Sequence, residues 1–261
     1  MLSIYTLDGF CLPREMRVIG IRGIPLVQPA DNLAELIVNA AGKRRLAFQK
    51  GDILVVAQKI VSKAEGRIIK SDDVIVSERA REIAEKNGFN PVHVELALRE
   101  ASSVIREERV LITETKGGQV CNFSGVDRSN TEAGSFILLP ENPDLSAQRI
   151  RNQIRSILEI DLGVVVSDTQ GRPWRRGSVA VAIGVAGLDA FKHNRGKRDL
   201  FDRTLKGSTV CQADEIACAA EPVMGQGAEG VPAAIVRGYR YSQGEGGAKL
   251  IVRPIDEDLF R

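Results

Sequence analysis

The sequence predicts a fold between α/β and α+β, with mixed sheets flanked by helices, and three observations carry that prediction. Short β-branched runs, Gly51-Asp-Ile-Leu-Val-Val-Ala57, Leu162-Gly-Val-Val-Val-Ser167 and Ala233-Ala-Ile-Val236, read as buried strands. Between them lie apolar-periodic stretches with capping residues, the mark of helices. The two element types do not alternate regularly, which favours a mixed sheet over a Rossmann-type domain. With 261 residues and 43% hydrophobic content the chain can bury a full core, and residues 1–261 are taken as one unit.

In chain order, Met16 to Val27 alternates as a strand and breaks at Gly23-Ile24-Pro25. Asp31 is the expected N-cap of a helix beginning at Leu33. The strand ending at Ala57 runs directly into Gln58-Lys59-Ile-Val-Ser62-Lys63, where a helix start or tight turn would aim ammonium groups at phosphates, although a row of surface lysines fits equally well. Residues 77 to 104 read as mainly helical, with Ser77 as one cap and Pro91 opening a second helix. Val110-Leu-Ile-Thr and Gln119-Val-Cys-Asn read as paired strands around Lys116-Gly-Gly, and Gly125 to Asn130 as a polar turn. A helix from Ser146 to Leu158 feeds the strand carrying Asp168.

Composition excludes several classes of function. The 36 basic and 34 acidic residues nearly cancel, which argues against a general nucleic-acid or membrane-surface binder and makes any anion site local. No apolar run approaches a membrane span, and the N-terminus lacks the charged start and apolar core of a secretion signal, so a cytoplasmic protein is expected. Cys11, Cys121, Cys211 and Cys218 show no CxxC spacing and read as reduced, packed thiols. His93 has no ligand-spaced partner and is assigned to packing or surface.

The chemistry concentrates at Ser167-Asp168-Thr169-Gln-Gly171-Arg172-Pro-Trp-Arg175-Arg176-Gly177. Asp168 and Thr169 end a buried run and offer the hard oxygen ligands that Mg²⁺ or Mn²⁺ prefers, and the arginines are planar donors for phosphates or carboxylates. A turn cap beside a solvated basic face is the competing reading. Asp127 would supply a second carboxylate. The loop Met224-Gly225-Gln226-Gly227-Ala228-Glu229-Gly230-Val231-Pro232 has glycines that let backbone N–H groups approach phosphates, although such loops are often plain turns. Asp214 and Glu215 fit a helix start, where acids cap rather than catalyse. No Ser/His/Asp or Cys/His set suggests a covalent intermediate. A nucleic-acid module built on Arg172, Arg175, Arg176, Lys192, Arg195, Lys197 and Arg198 is disfavoured by the single tryptophan, Trp174, and sparse aromatic interleaving.

Taken together, Gly23-Ile-Pro-Leu26, Gly51 to Gly66, Gly125-Val-Asp-Arg-Ser-Asn130, Ser167-Asp-Thr-Gln-Gly-Arg172, Arg175-Arg-Gly177, Ala213-Asp-Glu-Ile-Ala217 and Met224 to Pro232 resemble the coenzyme F(420)-0:L-glutamate ligases, also called F(420):gamma-glutamyl ligases. The resemblance implies the stand-alone form, without a fused nitroreductase-like domain, built as an intertwined homodimer of subunits with two intimately connected lobes. It implies GTP-dependent amide formation through an acyl phosphate, with possible further gamma-linked additions of glutamate. Gly23, Ile24, Pro25, Leu26, Gln58, Lys59, Lys63, Asn130 and the loop Met224, Gly225, Gln226, Gly227, Ala228, Glu229, Gly230 and Val231 would contact the nucleotide. Asp127, Asp168, Thr169 and Gln226 would hold two divalent ions, Mg²⁺ or Mn²⁺, with K⁺ as an accessory ion. Asp168, Arg172 and Arg175 would be catalytic. A nucleotide- or deazaflavin-binding protein without turnover is the alternative that the same loops permit.

Overall fold

The computed structural model describes residues 15–259; Cys11 lies outside them. A five-stranded sheet in the order β1-β12-β2-β8-β9 organises the chain, formed by β1 (Arg17–Gly20), β2 (Ile53–Ala57), β8 (Gly163–Arg172), β9 (Arg175–Ala186) and β12 (Ala233–Arg237). Only β2 and β8 run parallel within it, and the remaining neighbours are antiparallel, so the sheet is mixed as expected. Side chains alternate across a strand, and the sheet is buried on both faces for that reason. Leu54, Val56, Val164, Val166 and Ile235 pack against α1 (Leu33–Lys43), α2 (Gln58–Ala64) and α5 (Pro143–Leu158). Ile53, Val55, Val165, Ala234 and Val236 pack against α6 (Gln212–Met224).

A second set of elements stands beside this sandwich. Helices α3 (Glu78–Asn87) and α4 (Pro91–Glu100) enclose a small apolar cluster with Leu111, and the strands β4 (Ala101–Arg106), β5 (Ile112–Thr115) and β6 (Val120–Asn122) form a separate antiparallel sheet. Short pairs complete the chain: β3 (Ile68–Lys70) with β7 (Ser135–Ile137), and β10 (Phe191–His193) with β11 (Thr209–Cys211). Among the described residues no helix is long and apolar enough to cross a membrane.

Two expectations need correction here, and one strand has no counterpart among them. Asn32, not Asp31, caps α1: its side chain accepts from the Glu35 amide, while the Asp31 carboxylate turns back to the Gln28 amide at 2.8 Å. Residues 101–104 are strand rather than helix, because the chain leaves α4 with Ala101 already extended and the Ser-Ser-Val-Ile run pairs with β5. The twelve-residue β9 was not anticipated at all; it pairs with β8 over its whole length.

Strand β9 is also an outer strand of the sheet, and two carboxylates occupy its outward amides. Asp144, in the first turn of α5, accepts from Val185 at 2.8 Å, and Asp214, in the first turn of α6, accepts from Ala182 at 2.8 Å. The acid at 214 therefore ties a helix to the sheet. Close approach of α5 requires Gly184, where any Cβ would collide with the Pro143 carbonyl.

Candidate functional site

Strand β2 ends at Ala57, opposite Ser167, and beyond that point β8 and β9 continue alone as a two-stranded ribbon. Asp168 is thus mid-strand, at the step where the sheet narrows, rather than at the end of its strand. Strand alternation sets Asp168 in the row of Val164 and Val166 and Thr169 in the row of Val165, so these two neighbours leave the sheet on opposite faces. A cleft of about 970 Å³ opens there, lined by Ile24 to Pro29, Gln58, Lys59, Lys63, Asp127, Asn130, Asp168, Thr169, Glu221 and the whole loop from Met224 to Pro232. That volume is at the upper end of the ordinary range for small-molecule sites.

Local structure explains how each wall is held. Lys59 and Lys63 lie one turn apart on α2, which begins immediately after β2. Lys59 forms an ion pair with Asp127 at 2.8 Å and bonds to Ser129, while Lys63 donates to the Asn130 carbonyl at 2.7 Å. The 127–130 turn is an Asx turn in which Asp127 accepts from the Ser129 amide at 2.8 Å, and Asn130 reaches the Gly227 carbonyl at 3.2 Å. Helix, turn and glycine loop therefore link into one rim. In the glycine loop, Glu229 folds back to accept from the Gly227 amide at 2.7 Å, and its carboxylate fills the space beside Gly225, whose φ of +74° suits glycine.

Behind Asp127 the chain is wound left-handed, with φ values of 48°, 51° and 71° at Phe123, Ser124 and Gly125. Ser124 holds this conformation: its buried hydroxyl lies 2.8 Å from the Thr113 hydroxyl and donates to the Ala97 carbonyl at 2.7 Å. His93 stacks on Phe123 with centroids 4.1 Å apart, and burial lowers its pKa, in keeping with a packing role.

The two carboxylates titrate in opposite directions. Burial works against ionised Asp127, but hydrogen bonds from Lys59 and the Ser129 amide outweigh it and hold the carboxyl below its ordinary range. Burial pushes Asp168 up to about 6, and the charges of Asp127 and Glu221 push in the same direction. Burial, then the neighbouring Lys59, lowers Lys63. Cys121, Cys211 and Cys218 are free, and burial drives the first two thiols to about 12, so neither is a ready nucleophile.

Asp127, Asp168, Thr169 and Gln226 thus share one cleft, together with Ile24, Pro25, Leu26, Gln58, Lys59, Lys63, Asn130 and Met224 to Val231. Gly23 is a neighbour of this lining rather than part of it. Arg172 and Arg175 sit farther out on the ribbon, outside the cleft of the single chain, where Arg172 donates to the Arg176 carbonyl at 3.0 Å. Sequence reasoning missed Glu221. Its carboxylate and the Thr169 hydroxyl both accept from the Gln226 amide nitrogen.

The donors suit a hard cation. Among the described residues no three His, Cys, Asp or Glu side chains converge as a ready-made metal cage. Two carboxylates, a hydroxyl and an amide beside a wide cleft match the way Mg²⁺ is held, by one or two protein carboxylates with phosphates completing the shell.

Fold and cleft together define an α+β protein in which hard oxygen donors face two lysines and a glycine-rich loop. Comparison with known proteins narrows the class. Residues 20–238 match the model of the F(420)-0:gamma-glutamyl ligase family. The chain is 44% identical over 247 residues to the coenzyme F(420):L-glutamate ligase of Methanothermobacter thermautotrophicus, covering 94% of this chain and 98% of the relative. The protein of the same name from Methanopyrus kandleri is 44% identical over 249 residues, covering 92% and 97%. That of Archaeoglobus fulgidus is 41% identical over 246 residues, covering 94% and 96%. The chain belongs to the F(420)-0:gamma-glutamyl ligase family.

Proposed function

We propose that this protein is a GTP-dependent ligase that joins L-glutamate to coenzyme F(420)-0 through an amide bond, with further gamma-linked additions open to the same chemistry. One observation carries the reading: two carboxylates, Thr169, Gln226, two lysines and the glycine loop, drawn from four separate stretches of sequence, meet at one cleft. The names of the relatives support the substrates.

A carboxylate is a poor acyl donor because its oxygen leaves badly. Transfer of the γ-phosphoryl group of GTP to that oxygen gives an acyl phosphate and GDP; the glutamate amine then attacks the carbonyl, the amide forms, and phosphate leaves. The residues serve this sequence by positioning and charge. Lys59 and Lys63 offset the polyphosphate charge that repels the incoming carboxylate, and the backbone amides of residues 225–231 cradle it. Asp127 and Asp168 on one side and Thr169 and Gln226 on the other would hold two cations, Mg²⁺ or Mn²⁺. Cations bound there supply neutralisation of the triphosphate. Asn130 and the segment 23–26 close the nucleotide end. Arg172 and Arg175 are assigned to the charge that develops on the transferred group, which requires the ribbon tip to meet a cleft in an assembled, intertwined homodimer. Exposed Trp174, Leu200 and Phe201, at 78%, 95% and 82%, support such an assembly.

The test is a mass spectrum of the products formed by purified protein with F(420)-0, L-glutamate, GTP and Mg²⁺ or Mn²⁺, with ATP in place of GTP as a control. The expected product is heavier by one or more glutamyl residues, with one GDP and one phosphate per bond. Tight nucleotide binding without any product would assign the protein to the non-catalytic binding class instead.

A further inference from the structure

The two faces of the β8–β9 ribbon are unequally supplied with charge. On the Asp168 face two carboxylates meet Lys59. On the Thr169 face the residues expected to hold a cation are a hydroxyl and an amide, both neutral, and such a pair is a weak set for a divalent ion. Glu221 stands on that face. Its Oε1 and the Thr169 hydroxyl both accept from the Gln226 amide nitrogen, so two oxygens converge on one position, which the positive end of an amide dipole now fills.

The placement of Glu221 is otherwise unfavourable. It lies in the last turn of α6, where the free carbonyls carry the negative end of the helix dipole, and that turn contains no basic residue. Among the described residues it makes no ion pair, whereas the nearby Glu229 is committed to bracing the glycine loop. An acid at this end of a helix is stabilised by a cation. We propose that Glu221 is a direct ligand of the cation bound between Thr169 and Gln226, supplying the negative charge that those two residues lack. For the ion to enter, the Gln226 amide turns so that its oxygen, rather than its nitrogen, faces the carboxylate and the hydroxyl.

The inference rests on the cation sites proposed above, and the experiment separates the two. Mn²⁺ is titrated into wild type, Glu221→Gln and Glu221→Ala in the presence of GDP and followed by electron paramagnetic resonance, with melting curves in the absence of metal. Wild type is expected to bind two Mn²⁺ ions. Glu221→Gln, which can still accept from Gln226 but carries no charge, should keep one ion at unchanged affinity, weaken the other tenfold or more, and melt no lower than wild type. Should Glu221→Gln fold poorly, Glu221→Asp keeps the charge but shortens the reach, and should weaken the same single ion. Two ions bound by Glu221→Gln as tightly as by wild type would overturn the proposal, and loss confined to Glu221→Ala would reduce Glu221 to positioning Gln226. If wild type binds no Mn²⁺, the cation reading itself fails and takes this inference with it.

Discussion

Asp127 and Asp168 face the same cleft from regions built in opposite ways. Asp168 stands on a strand between two packed layers, where rigidity is high and solvation poor, and its pKa rises to about 6. Asp127 stands on a turn stitched together by Lys59, Ser129 and a left-handed backbone, where hydrogen bonds are plentiful and its pKa falls. The difference shows that one residue type serves as a held charge in one place and as a suppressed charge in the other. Asp127 is already paired with Lys59, while Asp168, without an ion pair among the described residues, would be open to a proton or to one of the proposed cations.

The sharpest way to break this comparison is Asp168→Asn, which keeps volume and removes the charge. Ligation should fall roughly a hundredfold to a thousandfold, the order seen when a preorganised electrostatic group is lost, while far-ultraviolet circular dichroism stays unchanged. Turnover at the wild-type level would mean that the strand carboxylate does no chemistry.

A smaller effect is expected from pH. The folded protein holds a proton on Asp168 up to about 6, whereas the unfolded chain loses it near the ordinary carboxyl value of 3.8. Without metal, this group therefore lowers stability as pH rises between those values and leaves it lowered above them, a loss that Asp168→Asn should not show. Cation affinity should climb through the same window, about tenfold per pH unit below 6, and then level off. Melting curves and Mn²⁺ titrations from pH 4.5 to about 7.5 measure both; an affinity already flat at the acid end would place the Asp168 pKa near that of Asp127.

Ser124→Ala attacks the turn from behind. Loss of a buried hydroxyl that supports three left-handed residues should cost about 1–3 kcal/mol and weaken Mn²⁺ binding modestly, read by denaturant titration and by the same metal titration. Stability unchanged within error would show that the turn is held by other means.

The mildest change is Lys63→Ala. The lysine is half-buried, and its one hydrogen bond among the described residues goes to the Asn130 carbonyl, so KM for GTP should rise about threefold to tenfold with a stability loss of no more than about 1 kcal/mol. KM for glutamate should hardly move. A variant that melts many degrees lower with normal GTP kinetics would move Lys63 to a structural role.

Much of this site was legible because each wall is one continuous stretch: Asp168-Thr169, the lysines of α2 and the glycine loop are each local in sequence. Their meeting was not legible from any one of them, since it depends on the long connection between the parallel strands β2 and β8. Glu221 escaped notice because an acid before Pro222 follows no ligand spacing, and its only trace was a final helical turn without a base. Strand β9 escaped because its small residues, Val179-Ala-Val-Ala-Ile-Gly, give a weak alternation beside the more conspicuous arginines. Asp31 and Asn32 are equally good capping types at adjacent positions, and only backbone geometry separates them.

The two acids on the outer strand β9 have a consequence for how copies of this chain can meet. With Val185 and Ala182 already donating to Asp144 and Asp214, that stretch has no spare main-chain donors to offer a stranger, and a second molecule cannot extend the sheet there as a sixth strand. Runaway stacking through this border is closed off by two side chains held on helix starts. Any contact between copies along this stretch would instead rest on side-chain surfaces, where fit rather than backbone pairing selects the partner.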